Sequence, residues 1–275
     1  MEKIFEIKAS GKKLPMNMKE YLHLLGFSVT LIKEAKYGGI HLNGLPVTVR
    51  ATVDNGDLVE IYLKEEKSES IPPIDIPIRV LYEDDDLLAV DKPTNMPTHP
   101  SKGNNLPTLA NAVMSYYKGN FVFRSVNRLD RDTSGIVIIA KNKISANALS
   151  ASMKAGLWEK KYHALVEGVP EPFEATIDAP IDRIEEGNIK RTVRTDGKRA
   201  ITKYKVIEDY GESSLCEITL LTGRTHQIRV HMSHIGHPLV SDFLYGNPCE
   251  KEYLLRCVEI RFPHPKTKET IVIRA

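Results

Sequence analysis

The hydrophobic pattern changes character along the chain. In "LPMNMKEYLHLLGF" the apolar residues Leu14, Met18, Tyr21, Leu22 and Leu25 recur at three- to four-residue spacing, which predicts a helix that Gly26 can end. Ser28 is placed to cap a second helix running through Ala35. In "GIHLNGLPVTV" the pair Asn43-Gly44 separates two short β-type runs and predicts a tight hairpin, and "DLVEIYL" predicts a further strand. The next segment, "KEEKSESIPPIDIP", is charged, proline-punctuated and without apolar period, so it reads as a linker. The chain is expected to divide into a small α/β unit at 1–70 and a large domain at 71–275.

Beyond residue 78 short β-type runs dominate. "IRVLYEDDDLLAVDKP" predicts two strands around an acidic turn, and Ile136 to Ala140 form an uninterrupted apolar run expected to be a buried strand. "KYHALVEG", "ITKYKVIEDY", "SSLCEITLLTG", "HQIRVHMSHIG" and "CVEIRFPHP" are also read as strands, whereas "TLANAVMSYYKG" and "KISANALSASMKAG" are the helix candidates. Strands outnumber helices and do not alternate with them. The expected class is therefore α+β, with a large mixed, mostly antiparallel sheet.

Composition narrows the picture only a little. The net charge is +2, and residues 1–70 carry ten basic and ten acidic side chains, so affinity for a polyanion has to come from local patches. One such patch is "DRIEEGNIKRTVRTDGKRAITKYK", with Lys190, Arg191 and Arg194 at its centre. Three cysteines, Cys216, Cys249 and Cys257, form no CxxC pair, which points away from a zinc site or disulfide framework and towards a reducing cytoplasm. No apolar run reaches membrane-span length, and the N-terminal residues lack a signal-peptide pattern.

Candidate chemistry concentrates in three stretches. "VNRLDRDTSGIVIIAK" sets Asp130 between Arg128 and Arg131, ahead of the small turn Thr133-Ser134-Gly135 and the buried run. A guanidinium beside a carboxylate favours its ionised form, suiting a nucleophile or general base, but taken alone the stretch reads better as a salt-bridged structural turn. "LLTGRTHQIRVHMSHIGHPLVSDFLYG" is rich in fixed donors; its histidines lack metal-ligand spacing, and Arg224, at a turn after Gly223, is a candidate bidentate partner for Asp130. "KKYHALVEG" carries Tyr162, either a core residue of an alternating strand or a ring for stacking on a base.

Together these stretches resemble the RluA-type RNA pseudouridine synthases. The resemblance rests on several motifs in order: "VLYEDDDLLAVDKPTNMPTHP", "NRLDRDTSGIVIIAK", "KKYHALVEG", "GRTHQIRVHMSHIGHPLVSDFLYG" and "RFPHP", spanning about residues 78–264. More weakly, the two N-terminal helices followed by "GGIHLNGLPV" resemble an S-four-type RNA-binding domain. The resemblance implies a pseudouridine synthase fold, no metal or organic cofactor, and an isomerase that breaks a uridine's glycosidic bond and rejoins the base through carbon 5. It implies Asp130 as nucleophile or base, Arg224 as its positioning partner, and Tyr162 as the residue that stacks on the uracil and takes the proton from carbon 5. Arg128 would enter the space the base vacates or grip nearby phosphate, Leu255 would line the base pocket, and Lys190, Arg191 and Arg194 would contact phosphate. RNA is the expected partner, ribosomal favoured over transfer RNA, bound by a monomer. The family usually has His where Asn127 stands, and often Gly where Ser241 stands. Two alternatives remain: a non-catalytic RNA-binding or ribosome-assembly protein on the same fold, and a glycoside hydrolase, for which a second carboxylic acid cannot be nominated.

Overall fold

The computed structural model describes residues 2–64, 71–101, 107–248 and 252–275. The first elements are β1 (Glu2–Lys8), β2 (Met16–Asn17), α1 (Met18–Leu24), α2 (Val29–Ala35), β3 (Ile40–Leu42), β4 (Leu45–Pro46), β5 (Thr52–Val53) and β6 (Leu58–Leu63). Both expected helices form. Asn17 caps α1 by accepting from the Glu20 N–H at 2.9 Å, and Ser28 caps α2 by accepting from the Leu31 N–H at 3.3 Å. Asn43 and Gly44 both take positive φ, +52° and +79°, as the tight β3–β4 turn requires. Among the described residues a sheet in the order β1-β6-β3-β4 backs these helices around Met18, Tyr21, Leu22, Ile40 and Ile61. Residues 2–8, to which the sequence pattern assigns no element, supply its edge strand β1.

The remaining elements are β7 (Arg79–Glu83), β8 (Leu87–Lys92), α3 (Leu109–Tyr116), β9 (Ser134–Ala140), α4 (Lys143–Lys154), β10 (Glu159–Glu167), β11 (Glu174–Asp178), β12 (Ile181–Arg183), β13 (Arg191–Val193), β14 (Ile201–Asp209), β15 (Ser213–Leu220), α5 (Gln227–His234), β16 (Leu255–Pro263) and β17 (Thr270–Arg274). Nine of these strands form one sheet, in the order β11-β14-β15-β10-β16-β9-β8-β7, with β17 also on β16. Every pair is antiparallel except β16 with β9. The α+β expectation, with a mixed and mostly antiparallel sheet, holds.

The core lies against β8 and β9, where Leu87 to Val90 and Ile136 to Ala140 are fully buried. Strands covered on both faces read as continuous apolar runs, which is why this pair is visible in sequence. The expected linker is not wholly detached. Ile71 joins the large core, and Asn111 of α3 donates to the Pro72 carbonyl at 2.8 Å, while residues 65–70 lie outside the described residues. "HQIRVHMSHIG", expected as a strand, is the helix α5.

Candidate active site

Asp130 sits on the connection that enters β9, and a set of buried polar groups fixes that connection. Asn127, 5% exposed, commits its whole side-chain amide to β9: Nδ2 donates to the Ile136 carbonyl at 3.0 Å and Oδ1 accepts from the Ile138 N–H at 2.8 Å. Two residues on, Thr98 donates through Oγ1 to the Leu129 carbonyl and accepts from the Leu129 N–H. Lys92, at the end of β8 and fully buried, donates to the carbonyls of Pro93, Met96 and Arg131 at 2.7–3.0 Å. Burial pulls its pKa down to about 8. At neutral pH the ammonium therefore persists, and its three N–H bonds meet three acceptors. Downstream, Gly135 adopts φ +106° and lies so close to β16 that a Cβ would fall 2.2 Å from the Cys257 carbonyl oxygen. Only glycine fits where the parallel strands meet, and this sets the spacing between Asp130 and β16.

The Asp130 side chain, 37% exposed, faces a mixed set of groups. Its charge acts on Lys92, Tyr162, His226, Arg229 and Tyr253. His226 Nε2 stands 3.9 Å from Asp130 Oδ2. Arg229 of α5 is 3% exposed and forms a fork with Asp242, Nε to Oδ2 at 2.7 Å and Nη2 to Oδ1 at 2.6 Å. The rings of Phe243, Tyr245 and Tyr253 surround its guanidinium with centroids at 5.2, 5.0 and 5.9 Å. Tyr162 lies in β10 opposite Cys257, at a register slip between β10 and β16. Burial, then the Cys257 neighbour, push the Tyr162 phenol well above its ordinary pKa. A phenol held protonated this firmly suits a wall or stacking group better than a proton acceptor.

The other expected residues fall in different places. Arg128 is exposed and makes no hydrogen bond or ion pair among the described residues. Arg224 does not pair with Asp130. It is exposed, its Nε donates to the Arg199 carbonyl at 3.0 Å, and its backbone N–H donates to Gln227. The buried guanidinium beside Asp130 belongs instead to Arg229, five residues on. Leu255 is buried at the start of β16, opposite Ala164 of β10. In the β12–β13 hairpin Lys190 hangs over the Tyr245 ring at 5.7 Å, and the Arg191 backbone N–H donates to Tyr245 Oη at 2.8 Å. Arg194 commits its fork to Asp196 within its own turn, at 2.9 and 2.7 Å, which leaves it less free for phosphate than expected. Sequence reasoning assigns no role to His226, Arg229, Tyr245 or Tyr253, although the first three stand in the donor-rich stretch that contains Arg224. Away from Asp130, the grouped side chains Asp84, Asp86 and His264 close the β7–β8 turn, where Asp84 accepts from Tyr82, His264 and the Asp86 and Leu87 N–H groups.

The chain is similar to known proteins over most of its length. Residues 86–234 match the family model for RNA pseudouridylate synthase. The uncharacterized RNA pseudouridine synthase YjbO of Bacillus subtilis is 38% identical over 268 residues, covering 94% of this chain and 95% of that protein. The ribosomal large subunit pseudouridine synthase D of Xanthomonas campestris is 36% identical, over 86% of this chain and 77% of its own length. Among solved structures, human RNA pseudouridylate synthase domain containing 1 superposes with a TM-score of 0.61 at 26% identity, covering 72% of this chain and 83% of that one. The class is thus an RNA-modifying isomerase. The chain belongs to the RNA pseudouridine synthase family, of the RluA type that its motif order suggests. Among the described residues no helix is long and apolar enough to cross a membrane.

Proposed function

We propose that this RNA pseudouridine synthase isomerises specific uridines in structured RNA, with ribosomal RNA favoured, and that Asp130 is the group that starts the reaction. One observation carries the reading: Asp130 is the solvent-reaching carboxylate of a connection over-determined by Asn127, Thr98, Lys92 and Gly135. A reagent needs both that access and that fixed geometry. In the isomerisation the bond from the sugar to N1 breaks and the base turns. A bond from the sugar to carbon 5 forms, and the carbon 5 proton is exchanged for one on N1. Asp130 supplies the carboxylate. Arg229 and His226 face it, and Tyr162 forms the floor on which the released uracil rests. Arg128 takes up the space of the extruded nucleotide, whose departure from its stack has its own cost. Residues 1–70 act as an S-four-like RNA-binding domain, and the basic β12–β13 hairpin adds phosphate contacts. Ribosomal RNA is favoured because a relative covering most of the chain is named for the large ribosomal subunit. Asp130→Ala is expected to lower pseudouridine formation by about 10³-fold or more while RNA affinity and melting temperature stay close to wild type. Pseudouridine formed by the variant at the wild-type rate, measured by tritium release from uridine carbon 5, overturns the assignment.

A further inference from the structure

We propose that His226 is a positioning residue that turns the Asp130 carboxylate towards substrate through an Nε2–H held in place by Tyr245. The inference rests on Asp130 being the reacting group. Tyr245 Oη lies 2.8 Å from the Arg191 backbone nitrogen and 2.8 Å from His226 Nδ1. The Arg191 N–H can only donate, so it occupies one lone pair of the phenol. The phenol's own hydrogen then has one acceptor among the described residues, His226 Nδ1. A neutral imidazole that accepts at Nδ1 carries its hydrogen on Nε2, and Nε2 is the atom 3.9 Å from Asp130 Oδ2. That separation exceeds a hydrogen bond, and contacts of this kind shorten when substrate closes the site.

The backbone supports the same reading independently. His226 occupies the N-cap position of α5 with φ +57° and ψ +19°, and its side chain makes no capping bond. An N-cap side chain ordinarily accepts from the first turn of its helix. Here the ring forgoes that bond and lies between Tyr245 and Asp130, in a left-handed conformation that costs free energy for any non-glycine residue. The ring is 14% exposed at its side chain, so a second partner from solvent has little access. The groups facing it are Asp130, Tyr245, Arg229, Arg191 and Asp242. Burial lowers the His226 pKa, Arg229 and Arg191 lower it further, and Asp130 and Asp242 oppose them; the lowering prevails. At neutral pH the ring is therefore a neutral donor, not an imidazolium that would lock Asp130 into an ion pair.

The test is single-turnover tritium release from a pool of unmodified ribosomal and transfer RNA transcripts labelled at uridine carbon 5, with RNA dissociation constants measured in parallel. His226→Asn tolerates the left-handed backbone and keeps a group at the Nδ1 position but has none at Nε2. It is expected to slow the step by about 10–100-fold with an RNA dissociation constant within about twofold of wild type. His226→Gln restores an amide donor near Nε2 and is expected to be faster than His226→Asn. Tyr245→Phe keeps the ring over Arg229, frees the tautomer, and is expected to be several-fold slow. His226→Asn at the wild-type rate, or His226→Gln no faster than His226→Asn, overturns the inference. Asp130→Asn separates the two readings. If it is inactive while His226→Asn is normal, only the His226 role fails. If Asp130→Asn is itself active, the assignment of Asp130 fails, and the His226 role with it.

Discussion

Asn127 stands where the backbone ladder of β9 runs out of partners. The preceding residues pair with β9 through the main chain, Val126 N–H to Ile138 O and Ala140 N–H to Arg124 O. At Asn127 the chain turns away towards Asp130, and the side-chain amide takes over from the departing strand. The amide supplies one donor and one acceptor, as does the neutral imidazole that relatives usually carry there. Asn127→His is therefore expected to retain turnover within a few-fold. Asn127→Leu leaves a buried carbonyl and a buried N–H unpaired and is expected to cost about 2–4 kcal/mol, read from urea unfolding. Equal stability of Asn127→Leu and wild type would contradict the bridging role. At this scale the sequence is partly legible. Asp130 and Tyr162 stand out by residue type and motif, but the choice between Arg224 and Arg229 cannot be made from spacing. Both lie in one donor-rich stretch, and only burial against Asp242 and three aromatic rings distinguishes them.

Helix α5 is illegible for a specific reason. From Gln227 to Met232 polar and apolar residues alternate strictly, which is the signature of a half-exposed strand. All six are nonetheless buried. Ile228 and Met232 enter the large core, and the polar residues are each satisfied inside. Gln227 donates to the Ile201 carbonyl and to Thr202, Arg229 to Asp242, and His231 bonds Thr202 and the Ala179 carbonyl, both at 2.8 Å. An inward polar face defeats a pattern that assumes polar means outward. The usable signal is Gly236, whose φ of +86° follows the helix end. The element also carries a buried charge whose neutralisation rests on one partner. Asp242 neutralises Arg229 and accepts from the Leu244 and Tyr245 N–H groups, so it holds the segment that presents Tyr245. Asp242→Ala strands a buried guanidinium beside Asp130 and is expected to cost about 3–5 kcal/mol of stability. Double substitution with Arg229→Met should recover part of that stability in thermal unfolding. No recovery would mean the cost lies in the loop hydrogen bonds and not in the charge.

On the scale of the whole molecule, two apolar clusters meet along one helix. Ile144 of α4 packs on the smaller cluster, Lys143 pairs with Glu34 at 2.6 Å, and Asn147 donates to the Gly26 carbonyl at 2.5 Å. The small unit is legible in sequence because its helices, turn and strand are local. The order of the large sheet is not, since β16 enters between β10 and β9 from more than 100 residues after β9, and no local pattern encodes such a pairing. Because the bonds named here all lie on α4, removal of residues 1–70 is expected to leave the large sheet closed. The proposed RNA-binding role can then be read as a salt dependence. For every phosphate that residues 1–70 neutralise on single-stranded RNA, their removal should make the plot of log affinity against log salt shallower by about 0.7. The truncated chain should therefore bind more weakly at low salt, with a shallower slope. At saturating RNA its single-turnover rate should stay near that of the full chain, since Asp130 and its supports all lie beyond residue 90. An unchanged slope would remove the small unit from the RNA interface, whereas a collapsed rate at saturating RNA would make it part of the catalytic geometry.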